Sequence, residues 1–238
     1  MLSPLVVFDL DGTLIDTAAD LVASLNHTIG MEGLEPVGYE DLTYLVGHGA
    51  QVMIQRAFAL RGRELSDEDH RRMIGVFVDH YASGMPGVSA PYPGLLAAMD
   101  RLSAAGYRLA VCTNKMEMLA KRLIEGLGIS SRFAAITGGD TFAVRKPDAG
   151  HLLGTVRLAE GDPRRTVMIG DSLNDILVAR NAAIPSIGVP FGYSDVPIAS
   201  LSPDHVVDRF DELTPALVER LIAQGSRELG ADSQASGI

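Results

Sequence analysis

Asp9 and Asp11 stand two residues apart where the apolar run Leu5-Val6-Val7-Phe8 ends, and Gly12 and Thr13 follow them. The run is unbroken by polar residues and rich in β-branched and aromatic types, which suits a strand covered on both faces, as in a parallel sheet. In such sheets ligands sit beyond the carboxyl ends of the strands. Two carboxylates leaving one strand tip can converge on a single cation, because burying like charges together is costly unless a cation or proton neutralises them. Taken alone, Asp-x-Asp fits a pair of solvated turn aspartates better. The other polar clusters of the chain reverse that preference.

Three further apolar runs end in chemistry-bearing residues. Arg108-Leu109-Ala110-Val111-Cys112 runs into Thr113, Asn114 and Lys115. Ala134-Ala135-Ile136 leads to Thr137-Gly138-Gly139-Asp140 and then Arg145-Lys146-Pro147. Val167-Met168-Ile169 gives Gly170-Asp171-Ser172-Leu173-Asn174-Asp175. Together they supply the parts of a phosphoryl-transfer site. Oxygen ligands such as Asp9 and Asp171, with a backbone carbonyl and waters, suit Mg²⁺. Thr113 and Lys146 can bind the equatorial oxygens of a phosphoryl group, where catalysis is mainly positioning and charge stabilisation. One carboxylate can then attack phosphorus while another manages the proton.

The elements that must position these residues follow from the periodicity. After Thr13, apolar residues recur at helical spacing through Leu14, Ala18, Leu21, Val22, Leu25 and Ile29, and no strand-like run returns until about residue 109. Asp41 to Val46, Ala50 to Leu60 and Asp67 to Tyr81 read as further helices, and Met85-Pro86-Gly87 and Pro91-Tyr92-Pro93-Gly94 read as hinge punctuation. From Gly94, helices (94–105, 116–127, 148–158, 173–182) alternate with strands (108–113, 133–137, 166–170, 185–189). That alternation predicts right-handed βαβ units. Val206-Val207 adds a short last strand, Pro215 to Gln224 a closing helix, and Gly225 to Ile238 reads as a frayed tail. The predicted fold is a doubly wound α/β protein with a mainly parallel, Rossmann-like sheet. Residues 1–15 and 93–238 form its catalytic core, and 16–92 an inserted all-helical cap domain.

The 238 residues, 47% of them hydrophobic, can bury a substantial core. A formal net charge of −10 argues against a nucleic-acid surface. No apolar run approaches the roughly 20 residues of a spanning helix, and no leader pattern is present, so the chain is expected to be cytoplasmic and without a membrane partner. Cys112, the single cysteine, excludes an internal disulfide and reads as a buried, inert thiol. Composition leaves monomer or homodimer undetermined.

The four polar clusters, in this order, resemble the motifs of the haloacid dehalogenase superfamily of phosphatases. Asp9-Leu10-Asp11-Gly12-Thr13 is similar to its first motif, Thr113-Asn114 to the second, Lys146 to the third and Gly170 to Asp175 to the fourth. The resemblance covers residues 5 to 15 and 93 to 210. It implies Asp9 as nucleophile and Asp11 as general acid and then base. It further implies that Asp9, Asp171 and the Asp11 carbonyl bind Mg²⁺ with Asp175 in support, and that Thr113, Asn114 and Lys146 hold the phosphoryl group. The helical block resembles the superfamily's helical cap, which closes over small phosphorylated metabolites. Val46-Gly47-His48-Gly49 and Gly138-Gly139-Asp140 are similar to segments of its bacterial phosphoglycolate phosphatases, and 2-phosphoglycolate is the substrate this implies.

Some readings stay open on the residues alone. His48 fits a substrate-facing loop or a plain helix stop. Lys115 fits a charge at the cleft or the first turn of a helix. The remaining histidines lack metal-ligand spacing and receive no chemistry. A sugar phosphomutase of the same superfamily, or a phospho-aspartate signalling module, would use much the same polar set.

Overall fold

The computed structural model describes residues 2–38, 41, 45 and 49–235, with 226–235 as backbone only. Six strands form one parallel sheet. β1 (Ser3–Phe8) lies between β4 (Arg108–Cys112) and β6 (Gly161–Gly170), with β5 (Ala135–Thr137) beyond β4, and with β7 (Ser186–Gly188) and β8 (His205–Val206) beyond β6. Val7 pairs with Ala110 on one side and Met168 on the other, which fixes the central register.

Side chains alternate across this sheet with period two. Val6, Phe8, Leu109, Val111, Val167 and Ile169 enter one core; Leu5, Val7, Ala110, Cys112 and Met168 enter the other. The first core is closed by α4 (Leu95–Ala104), α5 (Glu117–Gly126) and α8 (Pro215–Ala235), through residues such as Leu102, Leu123 and Val218. The second is closed by α6 (Ala149–Leu158) and α7 (Leu173–Asn181), through Leu152 and Val178. Both faces of the central strands are therefore dry, as the unbroken apolar run before Asp9 predicts. Cys112 is fully buried and its thiol is pushed up to about 11 by that burial, so it is inert.

Between β1 and β4 the chain forms α1 (Ala18–Gly30), α2 (Ala50–Leu60) and α3 (Asp67–Gly84). Leu25, Ile54, Phe58, Met73 and Phe77 make a third apolar cluster among these helices. The expected helix from Asp41 to Val46 falls mostly outside the described residues.

Three sequence expectations need correcting. First, two strands escape the periodicity: β2 (Ile15–Asp16) and β3 (Ala90–Pro91) pair antiparallel, Ile15 with Pro91 and Asp16 with Ala90. Two-residue strands are too short to show alternation, and Leu14, read at helical spacing, lies in the turn before this ribbon, its carbonyl accepting from the Tyr92 N–H at 3.1 Å. Second, β6 begins at Gly161, five residues before the expected 166, with irregular pairing between Ser3 and Leu5 of β1. Pro163 lies in that irregular stretch, where a residue without an N–H is tolerated. Third, α8 continues to Ala235, past the predicted fraying point at Gly225, and no proline interrupts it.

Candidate active site

Asp9 leaves the end of β1, Asp171 follows β6, and Asp175 sits in the first turn of α7. All three are buried, and each offers a carboxylate oxygen within 4.8 Å of the others. Lys146, after β5, places Nζ 2.8 Å from Asp9 Oδ1 and 2.6 Å from Asp175 Oδ1. The approach to Asp9 is an ion pair without hydrogen-bond alignment, so Asp9 Oδ1 has no aligned donor among the described residues. Three carboxylates against one ammonium leave two negative charges.

The electrostatics carry the mark of that excess. Asp9 is pushed up to about 6, by burial first and then by Asp175 and Asp11, against the pull of Lys146. Asp171 is pushed up to about 8 by burial, Asp175 and Asp9. Lys146 is held above the ordinary lysine range: burial works against its charge, but Asp175 and Asp9 outweigh it. Buried oxygen donors crowded in this way fit a divalent cation, which removes the repulsion that raises the two aspartates.

Local structure holds each ligand in place. Asp171 Oδ1 accepts from the Thr13 hydroxyl at 2.8 Å and its Oδ2 from the Tyr193 N–H at 2.7 Å. Asp175 Oδ2 accepts from the N–H and the hydroxyl of Ser172, at 3.0 and 2.6 Å, at the start of α7. The Lys146 N–H donates to Nδ1 of the fully buried His151 at 3.1 Å, and its carbonyl accepts from Asn114 Nδ2 at 3.2 Å. Burial and the nearby Lys146 charge push His151 down to about 4, so it serves as a neutral acceptor. Gly12 has φ +82°, and a Cβ there would lie 2.5 Å from Asp171 Oδ2. Only glycine lets the Asp11–Thr13 turn pass this close to the carboxylate.

Asp11 belongs to a second constellation. Its Oδ1 accepts from the Thr17 hydroxyl at 2.8 Å, and Lys115 Nζ donates to Oδ1 at 2.9 Å and to Oδ2 at 3.1 Å. The same ammonium donates to the Tyr81 hydroxyl of α3 at 2.9 Å. Lys115 precedes α5 and is buried, so it is a cleft charge rather than a first-turn residue. Burial opposes its charge, but Asp11 and Tyr81 outweigh burial and hold it above the usual lysine range. Thr113 is buried at the end of β4, and its hydroxyl accepts from the Lys115 N–H at 3.3 Å. His48 lies outside the described residues.

These groups meet at a pocket between the sheet and the helical block. Asp9, Asp11, Thr113, Asn114 and Lys115 line its floor, while Leu21, Ala50, Met53, Phe77 and Tyr81 line the helical side. Sequence reasoning missed Tyr81, Tyr193, Thr17 and His151. Tyr81 alone left a trace, lying four residues after Phe77 on the apolar stripe of α3.

The family model of haloacid dehalogenase-like hydrolases matches residues 6–189, from the first strand through the strand after Asp171. The chain belongs to that family. This haloacid dehalogenase-like hydrolase is 62% identical over 225 residues to the phosphoglycolate phosphatase of Agrobacterium fabrum, covering 94% of this chain and 97% of that one. It also resembles the crystal structure of a predicted phosphoglycolate phosphatase from Haemophilus somnus, with TM-score 0.83, 29% identity and coverage of 89% and 96%. A mutant of CbbY from Rhodobacter sphaeroides, solved in complex with xylulose-(1,5)bisphosphate, matches with TM-score 0.76, 25% identity and coverage of 89% and 96%. In this hydrolase Asp9, Thr113, Lys146 and Asp171 follow β1, β4, β5 and β6, which are neighbours in the sheet.

Proposed function

We infer that this hydrolase is a Mg²⁺-dependent phosphatase that cleaves 2-phosphoglycolate to glycolate and phosphate. The observation that carries the chemistry is the pairing of Asp9 Oδ1, buried and without an aligned donor, with the Lys146 ammonium 2.8 Å away. The relative at 62% identity supports the substrate.

Asp9 attacks phosphorus in line with the ester oxygen, and an aspartyl-phosphate forms as the P–O bond to glycolate breaks. Asp11 must enter this step protonated, and it gives that proton to the departing alkoxide. It then takes one from the water that attacks the same phosphorus, which releases phosphate and restores Asp9. Thr113, Asn114 and Lys146 hold the equatorial oxygens, where the protein's main contribution is charge and position. Mg²⁺, held by Asp9, Asp171 and the Asp11 carbonyl with Asp175 in support, supplies positive charge against the phosphoryl oxygens when bound.

Residues 16–92 act as a cap in this reading. Their helices wall the pocket and keep bulk water from the acyl phosphate, which selects small esters over macromolecules. The acidic surface and the lack of a membrane-spanning helix among the described residues fit a cytoplasmic enzyme of small metabolites. A bisphosphorylated sugar, as bound by CbbY, is the competing substrate class.

The test is phosphate release from 2-phosphoglycolate and a set of sugar phosphates, with Mg²⁺, with EDTA, and with Asp9→Asn. Metal-dependent turnover of 2-phosphoglycolate that vanishes in the variant is expected. Undiminished activity of Asp9→Asn would overturn the mechanism, and preference for a sugar phosphate would overturn the substrate.

A further inference from the structure

Tyr81 stacks on Phe77 in α3 with ring centroids 5.7 Å apart and is only 3% exposed. Its oxygen accepts from Lys115 Nζ, which also lies 4.4 Å from the Tyr81 ring centroid and donates to the two carboxylate oxygens of Asp11. An ammonium carries donors only, so the tyrosine oxygen that receives from it still holds its own proton to give. Among the described residues nothing accepts that proton, although Tyr81 lines the pocket that Asp9 and Asp11 share.

Among the described residues the rest of the helical wall offers no polar side chain: Leu21, Gly49, Ala50, Met53 and Phe77. A polyhydroxylated tail would leave several hydroxyls unpaired against such a surface. A short tail ending in a group that only accepts hydrogen bonds needs one good donor and little else, and Tyr81 supplies it.

We propose that Tyr81 is a specificity-determining residue, its hydroxyl donating to the carboxylate of the substrate while Lys115 holds it in orientation. This rests on the 2-phosphoglycolate reading and adds to it the group that recognises the end of the substrate away from phosphorus. No bond is made or broken by Tyr81, so its effect falls on discrimination between esters.

The experiment compares kcat/KM for 2-phosphoglycolate with that for ethyl phosphate, which keeps the phosphoryl group and lacks the carboxylate, in the wild-type chain and in Tyr81→Phe. The ratio is insensitive to how much of the variant is folded, because a lost folded fraction scales both substrates alike. Tyr81→Phe is expected to cut the ratio by about tenfold or more, the usual effect of losing a hydrogen bond to a charged group. An unchanged ratio in Tyr81→Phe, with a wild-type chain that favours 2-phosphoglycolate, would overturn the role of Tyr81 and leave the substrate reading standing. Equal use of both esters by the wild-type chain would overturn the substrate reading and this inference with it.

Discussion

Lys146 Nζ lies 2.8 Å from Asp9 Oδ1, which sets the one buried ammonium of the acidic triad beside the carboxylate proposed to attack phosphorus. The same ammonium is 2.6 Å from Asp175, so it also holds two carboxylates together that would otherwise repel.

Lys146→Met keeps the stem of the side chain and removes its charge. The phosphoryl oxygens then lose a preorganised donor, and kcat is expected to fall by roughly 10²–10³. The carboxylates are left with only the metal to neutralise them, so the melting temperature should depend more strongly on Mg²⁺ than in the wild type. Steady-state kinetics and thermal melts with and without EDTA check both; wild-type kcat in the variant refutes the role.

The raised aspartates make a pH prediction. Burial and neighbouring carboxylates push Asp9 up to about 6 and Asp171 up to about 8 in the folded chain, from an ordinary 3.8. Between about pH 4 and pH 8 the folded, metal-free chain binds more protons than the unfolded chain, so stability falls as pH rises through that window. A cation that binds the carboxylate forms displaces those protons and stabilises the fold more at higher pH. The melting-temperature gain from saturating Mg²⁺ should be larger at pH 8 than at pH 6, and a gain that shrinks over that range would contradict the assignment.

Gly12→Ala tests the close passage of the turn. The added methyl meets Asp171 Oδ2 and forces an alanine to φ +82°. A loss of about 1–3 kcal/mol in urea denaturation is expected, with a higher Mg²⁺ concentration for half-maximal activity. An intact metal response would show that Asp171 moves aside freely.

The sequence made the sheet legible because both faces of its central strands are dry: Val6 and Phe8 enter one core, Leu5 and Val7 the other, and the run reads as apolar throughout. The positions at the strand ends were legible for the same reason, since Asp9, Thr113 and Asp171 stand where apolar runs stop. What supports them was not. Thr13 reaches Asp171 across 158 residues and Tyr193 reaches Thr17 across 176, and no local spacing encodes such pairs. His151 gave no signal because a buried histidine that accepts one backbone N–H looks, in sequence, like any histidine in a helix. The β2–β3 ribbon was hidden by its length, with two residues on each side.

Tyr193 joins the two halves of this arrangement, and a variant can separate its roles. Its backbone N–H holds Asp171, while its hydroxyl accepts from the N–H groups of Thr17 and Ala18, at 2.7 and 3.0 Å, and donates to Asp16 Oδ1 at 2.6 Å. Those two donors open α1 and have no intrahelical partner; the phenol oxygen caps both, and Asp16 Oδ1 shares the Ala18 N–H at 3.2 Å. Tyr193→Phe leaves the Thr17 N–H buried without that acceptor and the Ala18 N–H with Asp16 Oδ1 alone, and a loss of about 1–3 kcal/mol in urea denaturation is expected. Amide hydrogen exchange at Thr17 and Ala18 should speed up in step with that loss, because protection there depends on the cap. The N–H to Asp171 survives the change, so Mg²⁺ activation should shift less than in Gly12→Ala. If the Phe variant instead lost its metal response while keeping wild-type stability, the hydroxyl would be acting on the acidic triad rather than on the start of α1.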